Sequence, residues 1–238
     1  MTRQLQSCLH ELVVATHICA NEGIFDAFGH VSARHPLHPD RYFLSRCRPP
    51  ELIGVHDLIE FSLDSEPENS ADAEVCSERV IHGEIYKARP DAMAVCHHHC
   101  SATLPFCITG EQLVPVYHLG ASIGRETPFW DQRDEFGETS LSVQSAREGA
   151  SLARALGRNA LVLMRRHGAT VVGSSIRELV FRTIYSCRNA EYQSQAMLIG
   201  RISPLSLGEI EMAGSLKNQS GVDRAWEHWV KRLDTVSG

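Results

Sequence analysis

Ala94-Val95-Cys96-His97-His98-His99-Cys100 is the stretch whose reading decides the fold. The apolar residues Met93 to Val95 lead into three consecutive histidines. Side chains alternate along a strand, so His97 and His99 point to one face and His98 to the other. Two imidazoles on one face, two residues apart, can bind the same divalent cation. Packing alone explains the run poorly, because each buried imidazole needs a hydrogen-bond partner. Cys96 and Cys100 would fall on the face of His98, so a thiolate site shared with His97 and His99 is not expected.

Working outward, Ala160 to Met164 is a continuous apolar run and reads as a buried strand. It delivers Arg165-Arg166-His167-Gly168, and His167 is either a structural histidine or a third ligand. Upstream, Ser77 is placed to cap a helix from Glu78 to about Ala88, ahead of Pro90. Glu78 would sit in its first turn, where the helix dipole alone accounts for a carboxylate. His82, one turn on, is either a support for the site or solvated. Gly29, before an alternating segment Val31 to Arg34, allows close backbone approach to a ligand. Tyr42 to Ser45 reads as a strand entering the stiff basic turn Arg46-Cys47-Arg48-Pro49-Pro50, whose guanidinium forks suit a carboxylate or phosphate.

The other elements follow from periodicity and turn residues. Helices are predicted over residues 4 to 20, closed at Gly23, over Ser145 to Leu156, closed at Gly157, and over Arg177 to Gly200. Short helices are expected over Glu209 to Leu216 and Val222 to Leu233. Further strands are predicted at Leu58 to Leu63, Ala169 to Val172 and, as an edge strand, Val114 to His118. Asp64 to Asp72 and Gly120 to Gly137 read as loops.

With 238 residues, 43 % of them hydrophobic, and no repeat or linker, one domain over 1–238 is expected. A net charge of −6 without a basic run argues against nucleic acid as partner. No stretch reaches the ~18 apolar residues of a membrane helix, and the first residues lack a signal-peptide core. Eight cysteines without a CxxC pair read as free thiols in a reducing cytoplasm.

Four pieces together resemble one family, the class II aldolase/adducin superfamily. Phe28-Gly29-His30-Val31-Ser32-Ala33-Arg34 resembles its Gly-Asn-Val-Ser-x-Arg segment, and Ser77-Glu78 its acidic helix start. His97-His98-His99 and Arg166-His167-Gly168 resemble its His-x-His strand and late His-Gly. The resemblance implies an α/β fold, three-layer α/β/α with a central, mainly antiparallel sheet. It also implies a homotetramer with sites at subunit interfaces. His97, His99 and His167 would hold one divalent ion (manganese, iron, zinc or cobalt), with Glu78 as fourth ligand or acid/base. Gly29, His30, Ser45, Arg46 and Ser77 would line the substrate pocket, and His98 is counted with them. Tyr117 or His118 would reach a neighbouring subunit's site.

His30 stands where the aldolases carry a phosphate-contacting asparagine. The stretches Phe28 to His35, Ser77 to Cys100 and Pro128-Phe129-Trp130-Asp131 look closer to a branch that decarboxylates aromatic ortho-hydroxy acids, such as 3,4-dihydroxyphthalate decarboxylase and 3-hydroxy-2-methylpyridine-4,5-dicarboxylate decarboxylase. That branch implies a small aromatic carboxylate substrate in aromatic or pyridine catabolism, with Glu78, His30, Tyr117 and His118 as candidate proton donors. Retro-aldol cleavage, dehydration of a hydroxy acid and a non-catalytic adducin-like scaffold are the alternatives.

Overall fold

The computed structural model describes residues 2–68, 74–216 and 219–236. In chain order the strands are β1 (His30–Arg34), β2 (Arg41–Ser45), β3 (Leu58–Ser62), β4 (Ala94–His98), β5 (Phe129–Trp130), β6 (Leu161–Met164) and β7 (Gly168–Gly173). They form one sheet in the order β3-β2-β1-β4-β7-β6-β5. Every pairing is antiparallel except that of β5 with β6. The helices are α1 (Arg3–Asn21), α2 (Arg79–Ala88), α3 (Leu104–Thr109), α4 (Arg133–Phe136), α5 (Ala146–Leu156), α6 (Ile176–Ile199), α7 (Leu207–Ala213) and α8 (Ser220–Val236).

The alternation of β4 divides the interior into two cores. Ala94 and Cys96 join Leu12, Ile18, Leu179, Ile184 and Trp229, from α1, α6 and α8. Val95 points the other way, among Tyr42, Ile81, Ile85 and Leu152, on the α2 and α5 side. Burying each such aliphatic side chain contributes about 1.5–3 kcal/mol, so both faces of the central strands are held by helices. This is the expected three-layer α/β/α arrangement. It also sorts the histidines: His97 follows Val95 to the α2 side, and His98 follows Cys96 to the α6 side.

Three local expectations are corrected. Ser77 does not cap α2; Glu78 holds the N-cap position without a capping hydrogen bond, and the helix starts at Arg79. The Glu78 carboxylate is taken instead by a distant loop, described below. Val114 to His118 is not a strand. Side-chain amides of α6 replace a neighbouring strand there. Gln193 Oε1 accepts the Val114 N–H at 2.9 Å, and Asn189 accepts the Val116 N–H and donates to the Val114 carbonyl. The Gly120 to Gly137 stretch is not all loop; it holds β5, α4 and part of a 3-10 turn, His118–Ile123. The acidic segment expected as a loop, Asp64 to Asp72, lies outside the described residues from 69 onward. All eight cysteines are free.

Candidate metal centre and its pocket

Strand register builds the cluster. β4 runs between β1 and β7, with His30 opposite His97 on one side and Thr170 opposite His97 on the other. His99 lies just past the end of β4 and keeps the His97 face. His167 sits in the turn between β6 and β7, where Arg166 adopts a left-handed φ of 53°. Gly168 lets that turn approach β4. A Cβ there would lie 2.2 Å from the His98 carbonyl oxygen and 2.9 Å from His99 Cδ2. Glu78 arrives from the start of α2, on the same side of the sheet.

The donor atoms of Glu78, His97, His99 and His167 all lie within 4.8 Å of one another. His97 Nε2 is 3.0 Å from His99 Nε2 and 3.5 Å from Glu78 Oε2, and His167 Nε2 is 3.4 Å from Glu78 Oε1. Atoms sharing one cation at roughly 2.1 Å sit roughly 3.0–3.5 Å apart, so the spacing fits a common ion.

Protonation favours the same reading. Burial, then the neighbouring imidazoles, hold His97 well below its ordinary value, and burial also lowers His99 and His167. All three therefore offer neutral nitrogens. Burial would raise Glu78, but His30, His167 and the Val143 N–H outweigh it and hold the carboxyl at about 2. The set is three neutral imidazoles and one carboxylate, as a divalent ion requires.

Two supports orient these ligands. The Thr170 hydroxyl donates to Met164 Sδ at 3.3 Å, so its oxygen accepts Nδ1–H of His97 at 3.1 Å. That leaves the His97 Nε2 lone pair facing the cluster. Glu78 Oε1 accepts from the Ser142 hydroxyl at 3.0 Å and the Val143 N–H at 2.9 Å, which leaves Oε2 toward His97.

Glu78, His99 and His167 floor a cavity of about 820 Å³, with the fully buried His97 behind them. Gly29, His30, Ser45, Arg46, Ser77, Glu78, His99 and His167 all border it. Phe28, 68 % exposed, and Arg48 also line the wall. Arg46 Nε and Arg48 Nη1 both bind the buried Asp57 carboxylate, at 2.5 and 3.0 Å. Burial opposes ionisation of Asp57, yet the Gly54 N–H and the two arginines hold it at about 2. Two cations on one anion leave one unit of positive charge at the wall. Burial works against charge on His30, whereas Cys76 and Glu78 favour it and prevail, raising the group.

Three expected site residues lie elsewhere. His98 is fully buried on the α6 face, where its Nδ1 accepts the Cys100 N–H and its Nε2 lies 3.9 Å from Cys187 Sγ. Tyr117 packs on Tyr192, and its hydroxyl is buried without a partner among the described residues. His118 is exposed next to it. Neither borders the cavity of its own chain. Sequence reading missed Asp57, Thr170 and Ser142. The first two are cross-strand neighbours of Arg46 and His97, readable once register is known; Ser142 has no local signal.

Residues 10–194 match the family described as Class II Aldolase and Adducin N-terminal domain. The chain belongs to the class II aldolase/adducin family. Within it, the chain is 34 % identical to the decarboxylase tropJ of Talaromyces stipitatus, over 92 % of this chain and 91 % of that one. It is 25 % identical to 3,4-dihydroxyphthalate decarboxylase of Rhodococcus jostii, over 93 % and 94 %. The fold superimposes on L-fuculose 1-phosphate aldolase of Glaciozyma antarctica with a TM-score of 0.82, covering 99 % of this chain and 91 % of that one at 20 % identity. That likeness carries the class II aldolase fold alone. The sequence relatives put the chain on the decarboxylase branch of the family, as a carboxy-lyase. Among the described residues no helix is long and apolar enough to cross a membrane.

Proposed function

We propose that this protein is a divalent-metal-dependent decarboxylase of an aromatic ortho-hydroxy carboxylate or dicarboxylate, acting as a single domain in aromatic or pyridine catabolism. The observation that carries the reading is the convergence of His97, His99, His167 and a tethered Glu78 at the base of a cavity whose wall carries Arg46 and Arg48. A divalent ion held by those four residues would polarise the ring hydroxyl and the adjacent carboxylate and draw electron density as CO2 leaves. The remaining work falls to the chain itself.

Arg46 and Arg48, sharing Asp57, hold a second carboxylate and so orient the one that departs. Phe28 offers an aromatic face to the ring at the cavity mouth. The carbon–carbon bond breaks and CO2 leaves. Its electron pair stays with the ring and is delocalised toward the hydroxyl oxygen. One proton then reaches the vacated carbon, so carboxylate plus proton gives arene plus CO2. His30 borders the cavity, and in a homotetramer Tyr117 or His118 of a neighbouring subunit would supply the other candidate donors; Glu78, ionised, would donate only a proton that it had first accepted. Ser142 and Val143 keep Glu78 from turning away.

The test is a substrate panel. Protein loaded with manganese or iron is expected to release CO2 from at least one ortho-hydroxy aromatic acid or diacid. Cleavage of a 1-phosphoketose into two carbonyl compounds without CO2, or dehydration of a hydroxy acid, would refute the reading.

A further inference from the structure

Behind His30 the cavity wall continues into a buried chain of hydrogen bonds. His30 Nδ1 lies 2.7 Å from His82 Nε2, His82 Nδ1 lies 2.6 Å from Ser32 Oγ, and Ser32 Oγ lies 2.8 Å from the Tyr86 hydroxyl. His82 and Ser32 are 0 % exposed and Tyr86 1 %. Alternation along β1 puts His30 and Ser32 on the α2 face, and one helical turn of α2 separates His82 from Tyr86. Packing fixes the chain in place. Tyr42 stacks on the His82 ring at 6.4 Å, and the Arg34 guanidinium lies 4.6 Å above Tyr86 while bonding four backbone carbonyls.

Donor counting gives this chain a direction. A phenol has one proton to give, and the Tyr86 hydroxyl meets no acceptor but Ser32 among the described residues. Tyr86 therefore donates to Ser32, and Ser32 passes its own proton to His82 Nδ1. His82, held neutral by burial, must then carry its proton on Nε2 and donate it to His30 Nδ1. A neutral His30 so engaged carries its proton on Nε2, the nitrogen that faces Glu78 and the cavity. The reverse direction would leave one buried O–H, that of Tyr86 or of Ser32, without an acceptor among the described residues. Cys76 and Glu78 favour the cation, but a cationic His30 would turn a second N–H on the His82 Nε2–H at 2.7 Å, so the donated bond keeps His30 neutral.

We propose that His82 is a positioning residue which, backed by Ser32 and Tyr86, fixes His30 as a hydrogen-bond donor through Nε2 to a substrate oxygen. His30 then steadies the negative charge that develops as CO2 leaves and does not act as a base. The assignment of the acceptor as a substrate oxygen rests on the decarboxylase reading; the tautomer does not. It also narrows the proton source for the ring carbon to the other candidates, because a neutral His30 that gave up its Nε2 proton would have to become an imidazolate.

The experiment reads the tautomer directly. Nitrogen-15 imidazole spectra of the full-length protein are expected to show His30 Nε2 protonated. In His82→Leu that preference is lost and a mixed population appears, while His82→Gln, whose amide can donate to Nδ1, keeps it. With an ortho-hydroxy diacid that the wild type decarboxylates, His82→Leu lowers kcat roughly tenfold to hundredfold, KM stays within about threefold, and His82→Gln recovers most of the loss. An unprotonated Nε2 in the wild type, or spectra unchanged in His82→Leu, overturns the proposal. Equal kcat losses in the Leu and Gln variants mark a packing role and overturn it as well. If His82→Leu does not fold, Ser32→Ala removes the proton that orients His82, and the same mixed His30 signal is expected. Failure of the wild type to release CO2 would sink the decarboxylase reading and leave the spectra to decide the tautomer.

Discussion

Thr170→Val tests how the cluster is held. Valine keeps the shape and the β-branch of threonine, so β7 is not disturbed. It deletes the oxygen that accepts Nδ1–H of His97 at 3.1 Å. Without an ion, His97 escapes the loss by moving its proton to Nε2, where His99 lies 3.0 Å away. With an ion bound, Nε2 must stay bare, and Nδ1–H is left buried and unpaired in a fully buried ring. An orphaned buried donor costs about 1–3 kcal/mol, and here the cost falls on the bound state. Metal affinity should therefore drop about 10- to 100-fold, in keeping with the effect of removing such outer hydrogen bonds elsewhere. The metal-free protein should lose no more than about 1 kcal/mol. Chelator-competition titration with Mn2+ gives the affinity, and melting in chelator gives the stability. A well-folded variant with affinity within twofold of the wild type would refute the reasoning, because either Thr170 does not set the tautomer or His97 is not a ligand.

Two further outcomes follow from the same geometry. Gly168→Ala places a Cβ 2.2 Å from the His98 carbonyl oxygen, so backbone must shift. It should cost about 1–3 kcal/mol in denaturant unfolding and weaken Mn2+ binding by displacing His167. Acidification should destabilise the metal-free protein in two windows, followed as Tm against pH. His98, lowered by burial from 6.5 to about 3, contributes stability that is full above 6.5 and lost as pH falls toward 3. Glu78 and Asp57, depressed to about 2 from 4.5 and 3.8, add losses between those ordinary values and about 2. A Tm that rises on acidification below pH 6 would contradict these assignments.

Much of this was legible in the sequence because local chemistry and tertiary need agree. The apolar lead into His97-His98-His99 and the run before His167 are strands by composition, and the period of two already put His97 and His99 on one face. What escaped is what depends on distant partners. Ser77 looks like a cap until Ser142 and Val143 take the Glu78 carboxylate from 64 and 65 residues away. Val114 to Val116 reads as a strand because it is extended and apolar, yet its backbone partners are two side-chain amides on α6. Arg46 and Arg48 look like free oxyanion clamps until the β2–β3 register sets Asp57 beside Arg46. His82, one helical turn from Glu78, reads equally well as solvated; only the closure of α2 on β1 makes it fully buried.

The most direct measurement is metal stoichiometry by elemental analysis after loading with Mn2+ or Fe2+ and removal of excess. Wild-type protein should retain one divalent ion per chain. His97→Ala, His99→Ala and His167→Ala should each lose it while keeping a cooperative unfolding transition. Retention of the ion by all three folded variants, or no retention by the wild type, would contradict a shared cation at this cluster.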